Sequence, residues 1–307
     1  CPTVPPMTDG SVSAPISDAT VDADGLEVAY LSCGDGPLAL CLHGFPDTPH
    51  SWRHLLPALA DAGFRAVAPY LRGYAPTAVP VDGAYQTGAL AHDAVALHEA
   101  LGGNGDAVIV GHDWGAFATY GAAALAPERW RRVVAMSVPP AAALTAGMLT
   151  PTQLARSWYI WFFQMPGLPE MVVPADDMAF IDHLWRTWSP GHDPAADTGA
   201  VKQALADPAN LAAAIGYYRA MFDPSVHHER YAAAQDATQQ PTPQPTLYLH
   251  GRDDGCLGAE MVGDAVAAAL PHPGSRIEIV DDAGHFLQVE RPDVVNRLIC
   301  DFVAATD

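Results

Sequence analysis

Short apolar runs alternate with helical stretches along most of the chain. Runs of strand length lie at 26–31, 38–44, 64–70, 106–112 and 131–138, and two more follow at 246–251 and 275–285. Helical composition fills the stretches between them, for example at 50–63 and 87–102. Continuous apolar strands that alternate with helices are typical of a parallel sheet covered on both faces. The pattern therefore predicts an α/β fold with a mostly parallel central sheet flanked by helices.

This alternation is interrupted between residues 140 and 240. Aromatic residues, Met and Ala cluster there in helical stretches at 152–165 and 210–222, and no segment is a good strand candidate. We predict an inserted all-helical domain over 140–240. It divides the α/β core into a first part, 21–139, and a second part, 241–307.

Two further segments differ in composition from the rest. Residues 1–20 are rich in Pro, Ser, Thr and Asp with little apolar content, and they are predicted to form an N-terminal arm. Residues 235–246 are rich in Pro and Gln, a composition that is typical of a linker. No chemistry is expected in either segment.

Composition and charge exclude several classes of protein. Half of the 307 residues are hydrophobic and 16 % are charged, so the chain can bury a substantial core and is not disordered. The formal net charge of -20 would repel nucleic acid and anionic membrane surfaces. No apolar run approaches the roughly 18 to 20 residues of a membrane-spanning helix. We expect a soluble, cytoplasmic monomer or homodimer; a secreted or lipid-anchored form through Cys1 is the alternative.

The cysteines predict neither a disulfide framework nor a metal site. The chain has five of them, at positions 1, 33, 41, 256 and 300. They are scattered, odd in number and free of the close Cys and His spacing that zinc sites use. We therefore expect no metal and no organic cofactor.

The sharpest local motif is Gly111-His112-Asp113-Trp114-Gly115, which lies between a predicted strand and a predicted helix. It fits the pattern of a nucleophile elbow, in which small residues permit a strained turn that presents the central side chain. The central residue here is Asp113. The ordinary alternative is a strand that ends in Gly and is followed by an Asp that caps a helix. Other segments of the chain are needed to distinguish these two interpretations.

Three other loops follow predicted strands and carry matching chemistry. His43-Gly44-Phe45-Pro46-Asp47 stands where an elbow enzyme takes a backbone N–H for its oxyanion hole. The segment 250–254 ends in two carboxylates, Asp253 and Asp254, and the segment 282–286 contains His285. Nucleophile, acid and histidine thus occur in the chain order expected of such a fold, at strand ends where open α/β sheets bind ligands.

These residues resemble the α/β-hydrolase family from about residue 21 to the end of the chain. Within that family, His43–Asp47 together with 111–116 is similar to the epoxide hydrolase branch, and the insert is similar to its helical cap. That branch carries two cap tyrosines. Tyr159 precedes a Gln-x-Pro-Gly turn and Tyr218 precedes an Arg, as in the branch, although Tyr217 leaves the register of the second tyrosine open.

The resemblance implies a role for each site residue. Asp113 is the expected nucleophile, with His285 as the general base and Asp254, selected over Asp253 by a Gly-x-x-Asp pattern, as its orienting acid. Tyr159 and Tyr218 are expected to protonate the oxygen of the opening ring. The expected oxyanion-hole donors are the backbone N–H groups of Phe45 and Trp114. The expected substrate-binding residues are His43, Pro46, Trp158, Phe163 and Phe286, of which His43 is expected to be a hydrogen-bonded support and not a base.

A carboxylate nucleophile suits this chemistry because an epoxide is opened by displacement at a saturated carbon, and the resulting ester can be hydrolysed at the aspartyl carbonyl. The expected substrates are a small lipophilic epoxide and water. A serine esterase is disfavoured because no serine occupies the elbow. One alternative is a haloalkane dehalogenase, which shares the nucleophile but needs N–H donors for halide where this chain has Phe45 and cap tyrosines. The other is a catalytically idle binding protein, which predicts missing triad members.

Overall fold

The computed structural model describes residues 14–305, which form one eight-stranded sheet with helices on both faces. The strands are β1 (Ser17–Ala23), β2 (Leu26–Cys33), β3 (Leu38–Leu42), β4 (Arg65–Pro69), β5 (Val108–His112), β6 (Arg132–Met136), β7 (Thr246–Gly251) and β8 (Arg276–Val280). Their order across the sheet is β1-β2-β4-β3-β5-β6-β7-β8. The β1/β2 and β2/β4 pairs are antiparallel and the other pairs are parallel. The predicted α/β class is therefore confirmed.

Six core helices cover the sheet. They are α1 (Leu55–Asp61), α2 (Thr87–Ala100), α3 (Trp114–Leu125), α12 (Asp264–Ala269), α13 (Leu287–Glu290) and α14 (Pro292–Ala304). Strands β3 and β5 are buried at every position, because their side chains alternate between two apolar clusters. One cluster packs against α2 and α3, and the other packs against α1 and α14. This is why these strands appear in the sequence as continuous apolar runs.

The sheet begins earlier in the chain than the sequence predicts. Strand β1 pairs with β2 from Ser17 onward, so residues 17–20 belong to the sheet and not to an arm. The segment was missed because its polar side chains are mostly exposed, as an edge strand permits. The rest of the predicted arm up to residue 13, including Cys1, lies outside the described residues.

The insert between β6 and β7 contains helices and turns throughout. Its helices are α4 (Ala141–Met148), α5 (Pro151–Arg156), α6 (Trp158–Phe162), α7 (Leu168–Val172), α8 (Ala175–Trp188), α9 (Thr198–Ala204), α10 (Pro208–Phe222) and α11 (Ala232–Ala237). Helix α8 is interrupted at 176–178, where the backbone is left-handed. We call this insert the cap.

The predicted linker at 235–246 is packed against the core. Helix α11 runs to Ala237, inside the segment. The side chain of Gln244 is buried and donates to the carbonyls of Ala123 (3.1 Å) and Pro127 (2.9 Å). A Pro- and Gln-rich composition is typical of linkers, but here side-chain hydrogen bonds to the end of α3 fix the segment in place.

Parallel strands bring their carboxyl ends to one edge of the sheet, beneath the cap. The four motif loops follow β3, β5, β7 and β8 at that edge. In residues 14–305, no helix is both long and apolar enough to cross a membrane.

Candidate active site

Asp113 occupies a strained turn between β5 and α3. Its φ of 54° and ψ of -118° are unusual for a residue with a side chain. The turn closes tightly, since a Cβ added at Gly115 would lie 2.1 Å from the carbonyl oxygen of Leu42. Such a turn projects Asp113 away from the sheet, and the first turn of α3 then directs its positive dipole end toward the carboxylate.

The loop after β3 supplies a hydrogen bond to this carboxylate. The backbone N–H of Phe45 donates to Oδ1 of Asp113 at 2.8 Å. Gly44 makes the approach possible, because a Cβ there would lie 2.2 Å from the same oxygen. Trp114, at the first position of α3, has a backbone N–H that can have no acceptor within the helix. Oδ1 therefore lies against a backbone N–H donor, whereas Oδ2 faces Nε2 of His285 at 3.6 Å.

His285 lies between two carboxylates. Its Nδ1 is 2.9 Å from Oδ2 of Asp254, and its Nε2 is 3.6 Å from Oδ2 of Asp113. Nε2 has no hydrogen-bond partner among the described residues. Oδ1 of Asp254 accepts the backbone N–H groups of Cys256 (2.7 Å) and Leu257 (2.9 Å), which fixes the acid. The structure thus brings the predicted nucleophile, histidine and acid together. The carboxylate beside the histidine is that of Asp254, whereas Asp253 is exposed.

The two carboxylates determine the charge of the histidine. Burial alone would lower the pKa of His285, but the negative charges of Asp254 and Asp113 outweigh it and raise the pKa to about 10. Burial opposes ionisation of Asp254 as well, yet the facing His285 keeps the pKa of that carboxyl below its usual range. The resting site is therefore a positive imidazolium between two negative carboxylates.

The neighbouring histidines are supports. His43 donates from Nδ1 to the carbonyl of Gly44 (2.8 Å) and accepts the N–H of Leu71 at Nε2 (3.1 Å). Burial lowers the pKa of His43 to about 4, so this ring is neutral. Nε2 of His112 lies 2.8 Å from the carbonyl oxygen of His285. Both rings hold loops of the site and neither faces the cavity.

Asp113 opens onto a cavity of about 400 Å³ between core and cap. Most of its lining is apolar, with Phe117, Val138, Leu144, Met148, Ile160 and Leu257 among the residues. Tyr159, Tyr218 and Cys256 are among the polar residues that share this lining with Asp113, and the others are Thr87, Thr145, Tyr217, His227, Gln235 and Gln239. The cavity is therefore suited to a lipophilic ligand whose polar atoms lie near the carboxylate.

The two adjacent tyrosines of α10 have different partners. The hydroxyl of Tyr217 donates to the carbonyl of Arg72 at 2.7 Å, which ties the cap to the core. The hydroxyl of Tyr218 is buried and has no partner of hydrogen-bonding geometry in the described part of the chain. Burial, and then the nearby charge of Asp113, raise the pKa of Tyr218 well above its ordinary value. Tyr218 is thus a neutral phenol with a free donor.

Tyr159 is buried beside Tyr218, with ring centroids 5.6 Å apart. Burial also raises the pKa of Tyr159 well above its ordinary value, so this phenol too stays protonated. Its hydroxyl is 3.2 Å from Sγ of Cys256, a contact that sequence reasoning missed. The sequence feature that could have indicated a role for Cys256 is its position, because it follows Asp254 by two residues in the same loop.

Asp254, Cys256 and His285 offer ligand atoms within 4.8 Å of one another, a donor set that zinc would accept. Both oxygens of Asp254 already accept hydrogen bonds, from two backbone N–H groups and from the imidazole. Burial holds the pKa of the Cys256 thiol well above its ordinary value. The residues therefore fit a hydrogen-bonded triad better than a metal centre.

The five predicted substrate-binding residues are not among those that line this cavity in the described part of the chain, and their role stays a prediction. Phe163 packs between Phe45 and Tyr218, at ring-centroid distances of 5.4 and 4.9 Å. Phe286 stacks on Trp185, with centroids 3.6 Å apart. Phe163 thus packs against Tyr218, which lines the cavity, whereas Phe286 packs against the cap.

The other three face different surroundings. His43 is bonded within its loop, as described above. The carbonyl of Pro46 accepts the indole N–H of Trp185 at 2.7 Å. Trp158 points outward, with 41 % exposure, and packs against Phe180. Its neighbour Trp161 lines the cavity instead. Sequence spacing could not distinguish these tryptophans, because α6 is only five residues long.

The chain is similar to known proteins. Residues 37–292 match the family model described as the alpha/beta hydrolase fold. Epoxide hydrolase 4 of Homo sapiens is 31 % identical over 91 % of this chain and 76 % of its own length. Epoxide hydrolase A of Mycobacterium tuberculosis is 30 % identical over 95 % of this chain and 98 % of its own.

A solved structure shows the same likeness in three dimensions. The structure described as an epoxide hydrolase from an endophytic Streptomyces superposes with a TM-score of 0.77 at 32 % identity, over 94 % of this chain and 95 % of its own. It matches both the sheet and the cap in extent. The chain therefore belongs to the α/β-hydrolase superfamily and, within it, to the epoxide hydrolase branch.

Proposed function

We propose that this protein is an epoxide hydrolase that forms a covalent ester between Asp113 and its substrate. One observation carries the proposal. Asp113 shares an apolar cavity with two buried, protonated phenols, Tyr159 and Tyr218, and within residues 14–305 the Tyr218 hydroxyl has no hydrogen-bond partner. A carboxylate nucleophile and neutral donors in one cavity are what the opening of an epoxide requires.

The first step is ring opening. Oδ2 of Asp113 attacks one ring carbon, and the carbon–oxygen bond on that carbon breaks. The electron pair of the broken bond stays on the epoxide oxygen, which takes a proton from Tyr159 or Tyr218. A phenol suits this task because it donates a proton without a positive charge that would neutralise the nucleophile. The product is a hydroxyalkyl ester of Asp113.

The second step is hydrolysis of that ester. Water attacks Cγ of Asp113, and the negative charge develops on Oδ1, where the N–H groups of Phe45 and Trp114 can stabilise it. Cleavage of the bond between Cγ and Oδ2 releases a vicinal diol that carries Oδ2. The new carboxylate keeps one oxygen from water. One proton of that water completes the hydroxyl group of the diol on Oδ2, and the other replaces, through His285, the proton that the phenol gave to the epoxide oxygen. These steps use side chains, backbone N–H groups and water only.

Ester formation also prepares His285 to act as a base. In the resting site the charges of Asp254 and Asp113 help to keep the imidazole protonated. Esterification neutralises Asp113, so one of the charges that raise the pKa of His285 disappears. The pKa then falls, so the imidazolium can give its proton to the phenolate that ring opening leaves. Neutral Nε2 can then accept a proton from water while Asp254 holds Nδ1.

The test is the intact mass of a His285→Gln variant after incubation with styrene oxide and a bromoalkane together. Without its base, the variant cannot hydrolyse the ester, so the adduct should accumulate. We expect one adduct with the mass of the whole epoxide, mapped by peptide analysis to Asp113. The His285→Gln/Asp113→Asn double variant is the matched control and should gain no mass.

Other outcomes contradict the proposal in different ways. An adduct equal to the alkyl group without bromide would indicate a haloalkane dehalogenase. The absence of any adduct, for styrene oxide and for a terminal alkyl epoxide that fits the apolar cavity, would indicate an idle binding protein. An adduct on a residue other than Asp113 would overturn the assigned nucleophile.

A further inference from the structure

The end of helix α8, in the cap, is bonded directly to the loop that carries the catalytic histidine. Three consecutive backbone N–H groups of that loop have acceptors. Gly284 donates to Oε2 of Glu290 (2.8 Å), His285 donates to the carbonyl of Trp188 (3.0 Å), and Phe286 donates to Oγ of Ser189 (3.1 Å). Two of the three acceptors belong to the cap, although cap and histidine loop are about a hundred residues apart in sequence.

The same cap carbonyl also holds the acid loop. The oxygen of Trp188 accepts the backbone N–H of Gly255 at 2.9 Å, one residue after Asp254. A single carbonyl group of the cap therefore joins the loop of the acid to the loop of the base. This fixes the spacing on which the contact between Nδ1 of His285 and Asp254 depends.

Ser189 and Glu290 complete the arrangement. The Ser189 hydroxyl is fully buried and donates to Oε1 of Glu290 at 2.6 Å, while its oxygen accepts the N–H of Phe286. Glu290 thus accepts hydrogen bonds on both oxygens, one from the cap and one from the histidine loop. A carboxylate that receives two such bonds fixes both partners more strongly than a neutral acceptor.

Packing leaves little room for this arrangement to shift. A Cβ at Gly284 would lie 2.6 Å from Cα of Ser189. The Trp185 ring stacks on Phe286, and the Trp188 ring meets the edge of His285 at a centroid distance of 5.1 Å. The end of α8 and the histidine loop are therefore closely packed against each other.

We propose that Ser189 and Glu290 are positioning residues, which act through the His285 loop to place the imidazole for ester hydrolysis. The inference rests on the proposed function, because it assigns these residues to the second chemical step. Neither side chain is among those that line the cavity as described. Ring opening depends on Asp113 and the cap tyrosines, so it should proceed when Ser189 or Glu290 is changed.

This separation predicts a specific kinetic pattern. A misplacement of about 1 Å in a catalytic group costs about a hundredfold in rate, so we expect Ser189→Ala and Glu290→Gln to slow ester hydrolysis by about ten- to hundredfold. Slower hydrolysis lowers kcat and KM in parallel and leaves kcat/KM near the wild-type value, since the first irreversible step is unchanged. The alkyl-enzyme should accumulate during turnover.

The experiment is rapid quench followed by intact mass, with styrene oxide as the probe, on wild type, Ser189→Ala, Glu290→Gln and Thr187→Val. Among the described residues, the Thr187 hydroxyl donates to the carbonyls of His183 (2.9 Å) and Leu184 (3.0 Å) in its own helix. Thr187→Val thus removes a hydroxyl from the same turn without touching the histidine loop, and it should behave as wild type. Glu290→Gln keeps the shape of the side chain and serves where Ser189→Ala folds poorly.

Accumulated ester with a parallel fall in kcat and KM, in either variant, supports the proposal. A fall in kcat at unchanged KM without ester would mean a smaller folded fraction and would overturn it, as would wild-type kinetics in both variants. Absence of ester from the His285→Gln variant would show that the proposed function itself fails. That result is distinguishable because it requires no change at Ser189 or Glu290.

Discussion

The cap meets the rest of the protein in two different ways on its two sides. On one side, which we call the anchored edge, residues 185–189 contact the catalytic loops through hydrogen bonds and stacked rings. On the other side, the open edge, Leu149, Trp161 and Phe222 line the cavity and remain 73, 47 and 48 % exposed. Polar contacts hold the first edge, whereas apolar side chains meet solvent at the second.

The two edges of the cap therefore have different roles. The anchored edge keeps the spacing between His285, Asp254 and Asp113, which chemistry needs to be constant. The open edge presents apolar surface at the cavity, which a lipophilic substrate needs in order to leave water. The cap tyrosines lie between the two edges. Removal of their hydroxyl groups is expected to give the largest effect among the variants that test this comparison.

Removal of both cap phenols should have the largest effect. In a Tyr159→Phe/Tyr218→Phe variant, the epoxide oxygen has no proton donor when the ring opens. General-acid assistance is worth about 10² to 10⁴ in rate, so we expect ester formation to slow by about that factor. Rapid quench with styrene oxide measures the step directly.

The matched control is Tyr217→Phe, which removes a hydroxyl from the same helix turn. That hydroxyl donates to the carbonyl of Arg72 and so supports the position of the cap. Its loss should slow ester formation far less than the double change does. Equal effects of the two variants would mean that the tyrosines act through cap position and not through proton donation.

The contributions of the two edges to the free energy of unfolding can be compared by changing one tryptophan at each edge. Trp185, at the anchored edge, is fully buried, and its N–H donates to the carbonyl of Pro46. Truncation of a buried Trp costs about 3 to 5 kcal/mol, so Trp185→Ala should lower the free energy of unfolding by about that amount. Trp161→Ala, at the open edge, should cost about 1 kcal/mol or less. Urea unfolding of both variants gives the comparison, and similar losses would contradict it.

The sequence predicted the fold well because its main signal is the burial of whole strands. Strand β5 is apolar on both faces and is followed by an elbow motif, so its position could be inferred locally. Strand β1 could not, since its side chains are mostly exposed and its stability comes from pairing with β2. Local composition contains no information about such a partner.

The same limit applies to the site. Asp113, Asp254 and His285 lie in loops that motif spacing identifies, and the structure brings them together. The contact of Tyr159 with Cys256 joins residues 97 positions apart. The contact of Ser189 with Glu290 joins residues 101 positions apart. No periodicity in either segment indicates these contacts, which only the docking of cap on core creates.

A change at the open edge should alter how kcat/KM depends on the length of the substrate. Trp161 lines the cavity and stacks on Phe222 at a centroid distance of 5.1 Å. A partly exposed apolar contact of this kind is worth about 1 kcal/mol, so Trp161→Ala should lower kcat/KM several-fold for long terminal alkyl epoxides and little for short ones. A chain-length series measures it.

Trp158→Ala is the control for that series. Trp158 is exposed to a similar degree, at 41 %, but is not among the residues that line the described cavity. Its loss should leave the dependence on chain length unchanged. If Trp158→Ala changed the dependence as much as Trp161→Ala, the substrate would enter over the outer face of α6 and the assigned open edge would be wrong.

The charge of His285 gives a smaller effect, seen as a pH dependence of stability. The pKa of His285 is raised to about 10 in the folded protein, whereas an exposed histidine titrates near 6.5. Its protonation therefore stabilises the fold fully below about pH 6.5, and this contribution is lost as the pH rises through 10. Wild type should lose its stability advantage over His285→Gln between these limits, as measured by urea unfolding at several pH values. A difference in the free energy of unfolding that stays constant with pH would mean that His285 is neutral in the resting site. The anchored edge would then position a histidine that can act as a base before the ester forms.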